Sequence, residues 1–372
     1  MIYLGTYLIS ALFAFFATRL SPKKNKITIV VFSFIAILLP SLLAGMRATN
    51  IGTDIEFYLI NNFDVAKSAT SFKSYLPLIY AKEPLYLAIV YCCAKVFGNV
   101  QVLLFVISFL TILLVYLSAW KWKKYLSVPM FLLLYDFLYY NDSLNIIRQH
   151  LAMAILLLGI DYLLQRKYKI YVLFIIVASL IHTAALIGFV FVLCHCYMLG
   201  SQKKRKRKFV KLKEVIILFA SGVGICGIRF WVTLAVDIGL LNSRYLYYFQ
   251  NASVSNNVTD TLIYSLEIVT ILLLSKQLNK YVKEYEYLKI NAYLNIILLQ
   301  LARIMNYGHR LSLYFGLINL LLIVQISKIE RNKNKRLLIN GLIYMIAIGY
   351  WIYIYCIGGV SQTFPYRFYF NK

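Results

Sequence analysis

Four polar side chains stand where the sequence is otherwise built for lipid. Asn145, Arg148 and Gln149 open one long apolar run, and His182 interrupts the next. On a continuous helix, positions 145, 148 and 149 fall at i, i+3 and i+4 and share a face. An ionisable group at membrane depth is costly, so it usually meets a partner or a wet cavity. Arginine stays charged and forks onto phosphate oxygens. Histidine titrates near neutrality and can move a proton. The chemistry that such a set suits is the capture of an anionic group beside a proton-accepting centre.

Further candidates lie outside the apolar runs. Arg47 follows the second run, and Asp54 sits in the turn-like Gly52-Thr53-Asp54 just beyond it. Glu83 precedes Pro84 at the start of a short apolar segment. Either carboxylate could bind sugar hydroxyls or accept a proton. Arg303, Asn306, Tyr307 and Arg310 recur at i, i+3, i+4 and i+7, one face if the helix continues through them. Several arginines converging at one interface suit a diphosphate; the plainer alternative is interfacial snorkelling. Cys194-His195-Cys196 resembles a metal fragment, but no second ligand pair lies near it.

The elements that must position these residues follow from composition. The chain has 372 residues, is 61% hydrophobic and 14% charged, whereas a soluble protein carries about a quarter charged residues. Apolar runs of spanning length recur from end to end, without the alternation of a β-barrel. The fold expected is all-α and polytopic, a single transmembrane domain over residues 1–372 with about eleven or twelve spans. No cleavable signal peptide is evident at the start, which reads as a first span.

The net charge of +25 does not point to nucleic acid, because most of the 39 lysines and arginines fall in short loops between runs. That is the positive-inside pattern. It puts residues 201–213, with the block Lys203 to Lys208, on the cytoplasmic side, and residues 47–101 and 237–260 outside. The segment 84–97 is too short to span comfortably and reads as an interfacial or re-entrant helix. The run 170–199 is too long for one span and is split at His182. Nucleotide-phosphate loops, dinucleotide fingerprints and H-E-x-x-H are absent, which argues against an ATP-driven pump or a nicotinamide enzyme.

An ordered series of short motifs then becomes informative. Met46-Arg47, Gly52-Thr53-Asp54 and Tyr58, Glu83-Pro84-Leu85-Tyr86, Ile147-Arg148-Gln149-x-Leu151-Ala152, His182-x-Ala184-Ala185-Leu186, Arg310-Leu311-Ser312-x-Tyr314-Phe315 and Pro365-Tyr366 resemble, in that order, the EpsG family of Wzy-like exopolysaccharide polymerases. His150 and Thr183 depart from its usual pattern. The resemblance implies a fold like that of Wzy and GT-C-type membrane glycosyltransferases, in the bacterial cytoplasmic membrane with the active site facing outward. It implies polymerisation of oligosaccharide repeats carried on undecaprenyl diphosphate, without metal or other cofactor. Arg148, His182, Asp54 and Glu83 would form the catalytic set. Arg47, Asn145, Gln149, Arg303, Arg310 and Tyr314 would bind substrate. Membrane lipid, a flippase and a chain-length regulator of the same pathway are the partners implied. A flippase for the same lipid-linked sugar and a membrane O-acyltransferase are the alternative readings.

Overall fold

The computed structural model describes residues 1–79, 83–199, 215–216, 219–224, 226–239, 243–250 and 258–370. The basic block Lys203 to Lys208, with Lys211 and Lys213, lies outside them. Among the described residues the structure is helical, and the only strand-like pairing is an isolated bridge between Arg47 and Phe368. Among the described residues six helices are long and apolar enough to cross a membrane: Ile2–Arg19, Lys26–Gly45, Val100–Lys121, Ile147–Leu164, His309–Ile326 and Lys333–Ile357. A seventh span results if Thr259–Leu273 and Ser275–Tyr281, bent by 81°, are taken together. Pro84–Val96, Tyr168–Ser179 and Thr183–Met198 are shorter apolar helices. The all-α polytopic fold is as expected; among the described residues the full-length helices are fewer than the eleven or twelve spans expected, because several of those spans are short or broken.

The chain divides into two compact units, residues 1–186 with 330–372, and residues 187–329. In the first unit, helix Lys26–Gly45 shows how a membrane segment accommodates an interior proline. Pro40 has no N–H to give the carbonyl of Ala36, and Ser10 Oγ from helix Ile2–Arg19 donates to that carbonyl at 2.7 Å. The carbonyl of Pro40 in turn accepts from Tyr140 at 2.6 Å. Helix Ile147–Leu164 is the most enclosed of the span-length helices of this unit, 72% buried. The apolar run from Val128, expected to end as a span at about Tyr140, runs on past it. Helix Val128–Tyr135 widens into a π turn at Asp136–Tyr140 and continues through Asn141–Asn145. Ile146, at φ −91° and ψ 58°, then breaks the helix before Ile147.

The C-terminal segment is stitched back onto this unit. Ala48 N–H donates to the carbonyl of Arg367 and Tyr369 N–H to that of Met46. Tyr366 donates to the carbonyl of Leu43, and Tyr3 to that of Thr363. In the second unit, helices Tyr285–Leu299 and His309–Ile326 pack together, with Phe191 edge-on to Phe315 at 4.6 Å. The anticipated single face through Arg303, Asn306, Tyr307 and Arg310 does not form. The helix tightens into a 3-10 turn at Gln300–Arg303, and a new helix starts at His309. Gly308 is required there, because a Cβ on it would lie 2.5 Å from the backbone of Leu301.

Candidate functional site

Glu83 caps the start of helix Pro84–Val96. Proline at the first helical position costs no hydrogen bond, since that N–H has no partner inside a helix. The next two free donors, Leu85 and Tyr86 N–H, both point at the carbonyl of Leu180, at 3.1 and 3.3 Å. This joint fixes the break between helices Tyr168–Ser179 and Thr183–Met198 against the first turn of the Pro84 helix. His182 and Thr183 lie in that break, so they are delivered to Glu83.

Three distant motifs meet at the Glu83 carboxylate. Arg148 Nη1 donates to Oε2 at 3.3 Å. Thr183 Oγ1 donates to Oε1 at 3.2 Å, and His182 Nδ1 stands 3.9 Å from the same oxygen. The Arg148 guanidinium lies over the ring of Tyr86, 5.2 Å from its centroid. This geometry combines charge attraction with a flat apolar rest. The Glu83 side chain is only 8% exposed, while those of Arg148 and His182 are 32% and 24% exposed. Burial pushes the Glu83 carboxyl up, but Arg148, His182 and the Thr183 hydroxyl together outweigh it and hold it below the usual range. The arrangement presents an ionised carboxylate, an open-sided guanidinium and an imidazole at one place.

A second cluster forms on the other side of the Ile146 break. Asn145 Oδ1 accepts from the backbone N–H of Asp54 at 2.8 Å and from Thr53 Oγ1 at 3.3 Å. Its amide donates to Ser361 Oγ, which donates to Asp142 Oδ1 at 3.2 Å. The Gly52 turn allows this closeness. Gly52 has φ +92°, and a Cβ there would lie 2.9 Å from the carbonyl oxygen of Leu144. Asn145 therefore belongs with Asp54, not on one helical face with Arg148 and Gln149 as expected. The break at Ile146 turns it away. Gln149 is buried, with its amide against Met153 Sδ at 3.8 Å.

The remaining candidates are placed as follows. Arg47 is fully enclosed, 1% exposed, beneath the C-terminal segment, and burial pushes its guanidinium down to about 10 against the opposing pull of Tyr140, Tyr3 and Tyr366. In the second unit, Arg303 is exposed, Arg310 lies 4.4 Å from the ring centroid of Tyr307, and Tyr314 is buried. Tyr86, Thr183 and Ser361 were not singled out for a role from the sequence. Tyr86 and Thr183 stood inside the quoted motifs and were visible. The contribution of Ser361 depends on a chain return that no local pattern carries. Among the described residues no group of three or more His, Cys, Asp or Glu side chains is placed to hold a metal ion.

No curated protein and no solved structure matches the chain significantly. A family model does, that of the EpsG family, over residues 30–368. The match takes in Arg47, Asp54, Glu83, Arg148, His182 and Arg310 and nearly all of the helical framework that carries them. On this coverage the chain belongs to the EpsG family of Wzy-like polysaccharide polymerases, a multi-pass membrane protein of the glycosyltransferase type.

Proposed function

We propose that the chain joins oligosaccharide repeats carried on a polyprenyl diphosphate, undecaprenyl diphosphate in bacteria, at the outer face of the cytoplasmic membrane. The observation that carries this reading is the meeting of Glu83, Arg148 and His182. A hydroxyl of one repeat attacks the anomeric carbon of the repeat or chain on the other carrier. The new glycosidic bond forms as the bond from that carbon to the carrier diphosphate breaks, and the diphosphate leaves with the electron pair. The hydroxyl proton passes to Glu83, directly or through His182.

Arg148 couples the two events. While it pairs with Glu83 the carboxylate stays a weak base. As the guanidinium turns to the charge developing on the diphosphate, Glu83 loses its counter-ion and becomes a stronger one. Charge on the leaving group is thus met by arginine, and the reading assigns no metal to it. Asp54, set by Asn145, binds sugar hydroxyls. Arg47 and Gln149 in the first unit, and Arg303, Arg310 and Tyr314 in the second, keep the substrate-contact role that the resemblance to the family implies, each within its own unit. A flippase and a chain-length regulator are the pathway partners this chemistry calls for.

The test uses purified protein in proteoliposomes with the lipid-linked repeat as sole substrate. Wild type is expected to give a polymer ladder, lost in Arg148→Ala and Glu83→Gln at normal expression and folding. Movement of the lipid-linked sugar across the bilayer without any ladder would replace the polymerase by a flippase.

A further inference from the structure

The second unit buries a polar cluster that the proposed chemistry does not use. Glu267 lies on helix Val258–Leu273, Asn291 and Asn295 on Tyr285–Leu299, and Asn319 on His309–Ile326. All four are at most 9% exposed, and Asn295 and Asn319 are fully enclosed. Their hydrogen bonds run one way. The Asn291 amide donates to the carbonyl of Phe315 and to Asn319 Oδ1, and the Asn319 amide donates to Glu267 Oε2 at 3.4 Å. The carbonyl of Phe315 can only accept, which fixes the orientation of Asn291 and therefore the polarity of the chain.

Along the bonded chain from Asn291 to Glu267 this polarity consumes the donors and leaves oxygens. Glu267 Oε1 and Asn291 Oδ1 are buried without a hydrogen-bond partner. Asn295 stands one helical turn from Asn291 on the same face, and both polar atoms of its side chain are likewise unpartnered. A carboxylate at this depth without a cation beside it is costly. Carboxylate and amide oxygens together suit a hard cation. The element carrying Glu267 is also broken. Helix Thr259–Leu273 ends and Ser275–Tyr281 departs at 81°. That break lies six residues beyond Glu267 on the same element.

We propose that Glu267, Asn291 and Asn295 bind a monovalent hard cation, sodium being the probe of choice, within the second helical unit. A proton on Glu267 would let it donate to one amide oxygen and leave the other unpartnered; a cation serves them together. The site does not depend on the polymerase reading and is tested without activity.

Purified full-length protein in detergent is unfolded by heat in sodium chloride and in choline chloride at matched ionic strength. Sodium is expected to raise Tm by several degrees, the size of shift that a ligand in roughly hundredfold excess over its Kd produces. The shift should vanish in Glu267→Gln, and Asn295→Ala should need several-fold more sodium for the same shift. Asn295→Ala also serves if Glu267→Gln does not fold. Equal Tm in both salts for wild type overturns the site. So does a sodium shift that survives unchanged in whichever of the variants fold.

Discussion

Replacing Glu83 by glutamine separates two roles that the same carboxylate could play. The side chain keeps its shape and can still accept from Arg148 and Thr183, so only the negative charge and the proton-accepting capacity are lost. A hydrogen bond between charged partners contributes about 1.5–3 kcal/mol. The 3.3 Å pair with Arg148, enclosed on the glutamate side and one-third open on the arginine side, belongs in that range. The pair also holds Arg148 in place, and at about 1.4 kcal/mol per tenfold its loss, through misplacement of the guanidinium, slows turnover by about ten- to a hundredfold. General-base catalysis adds about 10²–10⁴. Glu83→Gln is therefore expected to lose at least about a thousandfold in the rate of ladder formation. Glu83→Asp, which keeps the base but draws it back by one methylene, should lose less. The assay is single-turnover joining of two labelled repeats in proteoliposomes, with Tm measured beside it. A loss no greater than about a hundredfold for the glutamine variant is what the ion pair explains by itself, and it would refute the proton-accepting role.

The same pair sets a pH dependence of stability. Because the Glu83 carboxyl is held below its ordinary value, its contribution is complete above about pH 4.3 and is lost as pH falls through the lowered value. Acid titration of Tm should show a component in that window that Glu83→Gln lacks. Arg148→Lys keeps the charge but loses the fork and the flat contact with Tyr86. It should lower the rate about ten- to a hundredfold, mainly through weaker diphosphate binding, read as a raised KM. Gly52→Ala must adopt φ +92° with its Cβ 2.9 Å from a carbonyl oxygen. It should cost about 1–3 kcal/mol and disturb Asp54 before it disturbs the fold, so activity falls further than Tm. Asn145→Ala removes the acceptor for the Asp54 N–H and should weaken sugar binding by about tenfold while sparing the Arg148–Glu83 pair; equal damage to both carrier binding and sugar binding would contradict the separation of the two clusters.

Much of the framework was legible because lipid imposes one rule, that backbone polar groups must be satisfied within the segment. The long apolar runs expected at about 3–18, 27–46 and 102–119 therefore became helices Ile2–Arg19, Lys26–Gly45 and Val100–Lys121. The break at His182 and the short helix after Glu83 were also legible. The first came from a run too long for one span, the second from Glu-Pro followed by too few apolar residues. The break at Ile146 was not visible. Ile146 is neither glycine nor proline, and residues 145, 148 and 149 carry a helical spacing that suggests continuity. The face drawn through Arg303 and Arg310 failed for a related reason. Its only warning was Gly308, whose necessity comes from the backbone of Leu301 and not from a local pattern.

The pairing of residues was the part that no spacing could supply, and the reason is physical. Glu83, Arg148 and His182 are separated by whole helices, yet each lies where a helix begins or stops: Glu83 as a cap, Arg148 in the first turn after the Ile146 break, His182 between two half-helices. A regular helix in lipid has no spare donors or acceptors, so a polar reaction centre has to be assembled from helix ends. The bond from Leu85 and Tyr86 N–H to the carbonyl of Leu180 is the case in point. It satisfies the free donors of one helix with the free acceptor of another, and in doing so it brings Thr183 and His182 to Glu83. The joint that satisfies the backbone and the joint that forms the site are the same. A substitution that restored helical continuity at 180–182 would therefore be expected to abolish joining of repeats even with Glu83, Arg148 and His182 all retained.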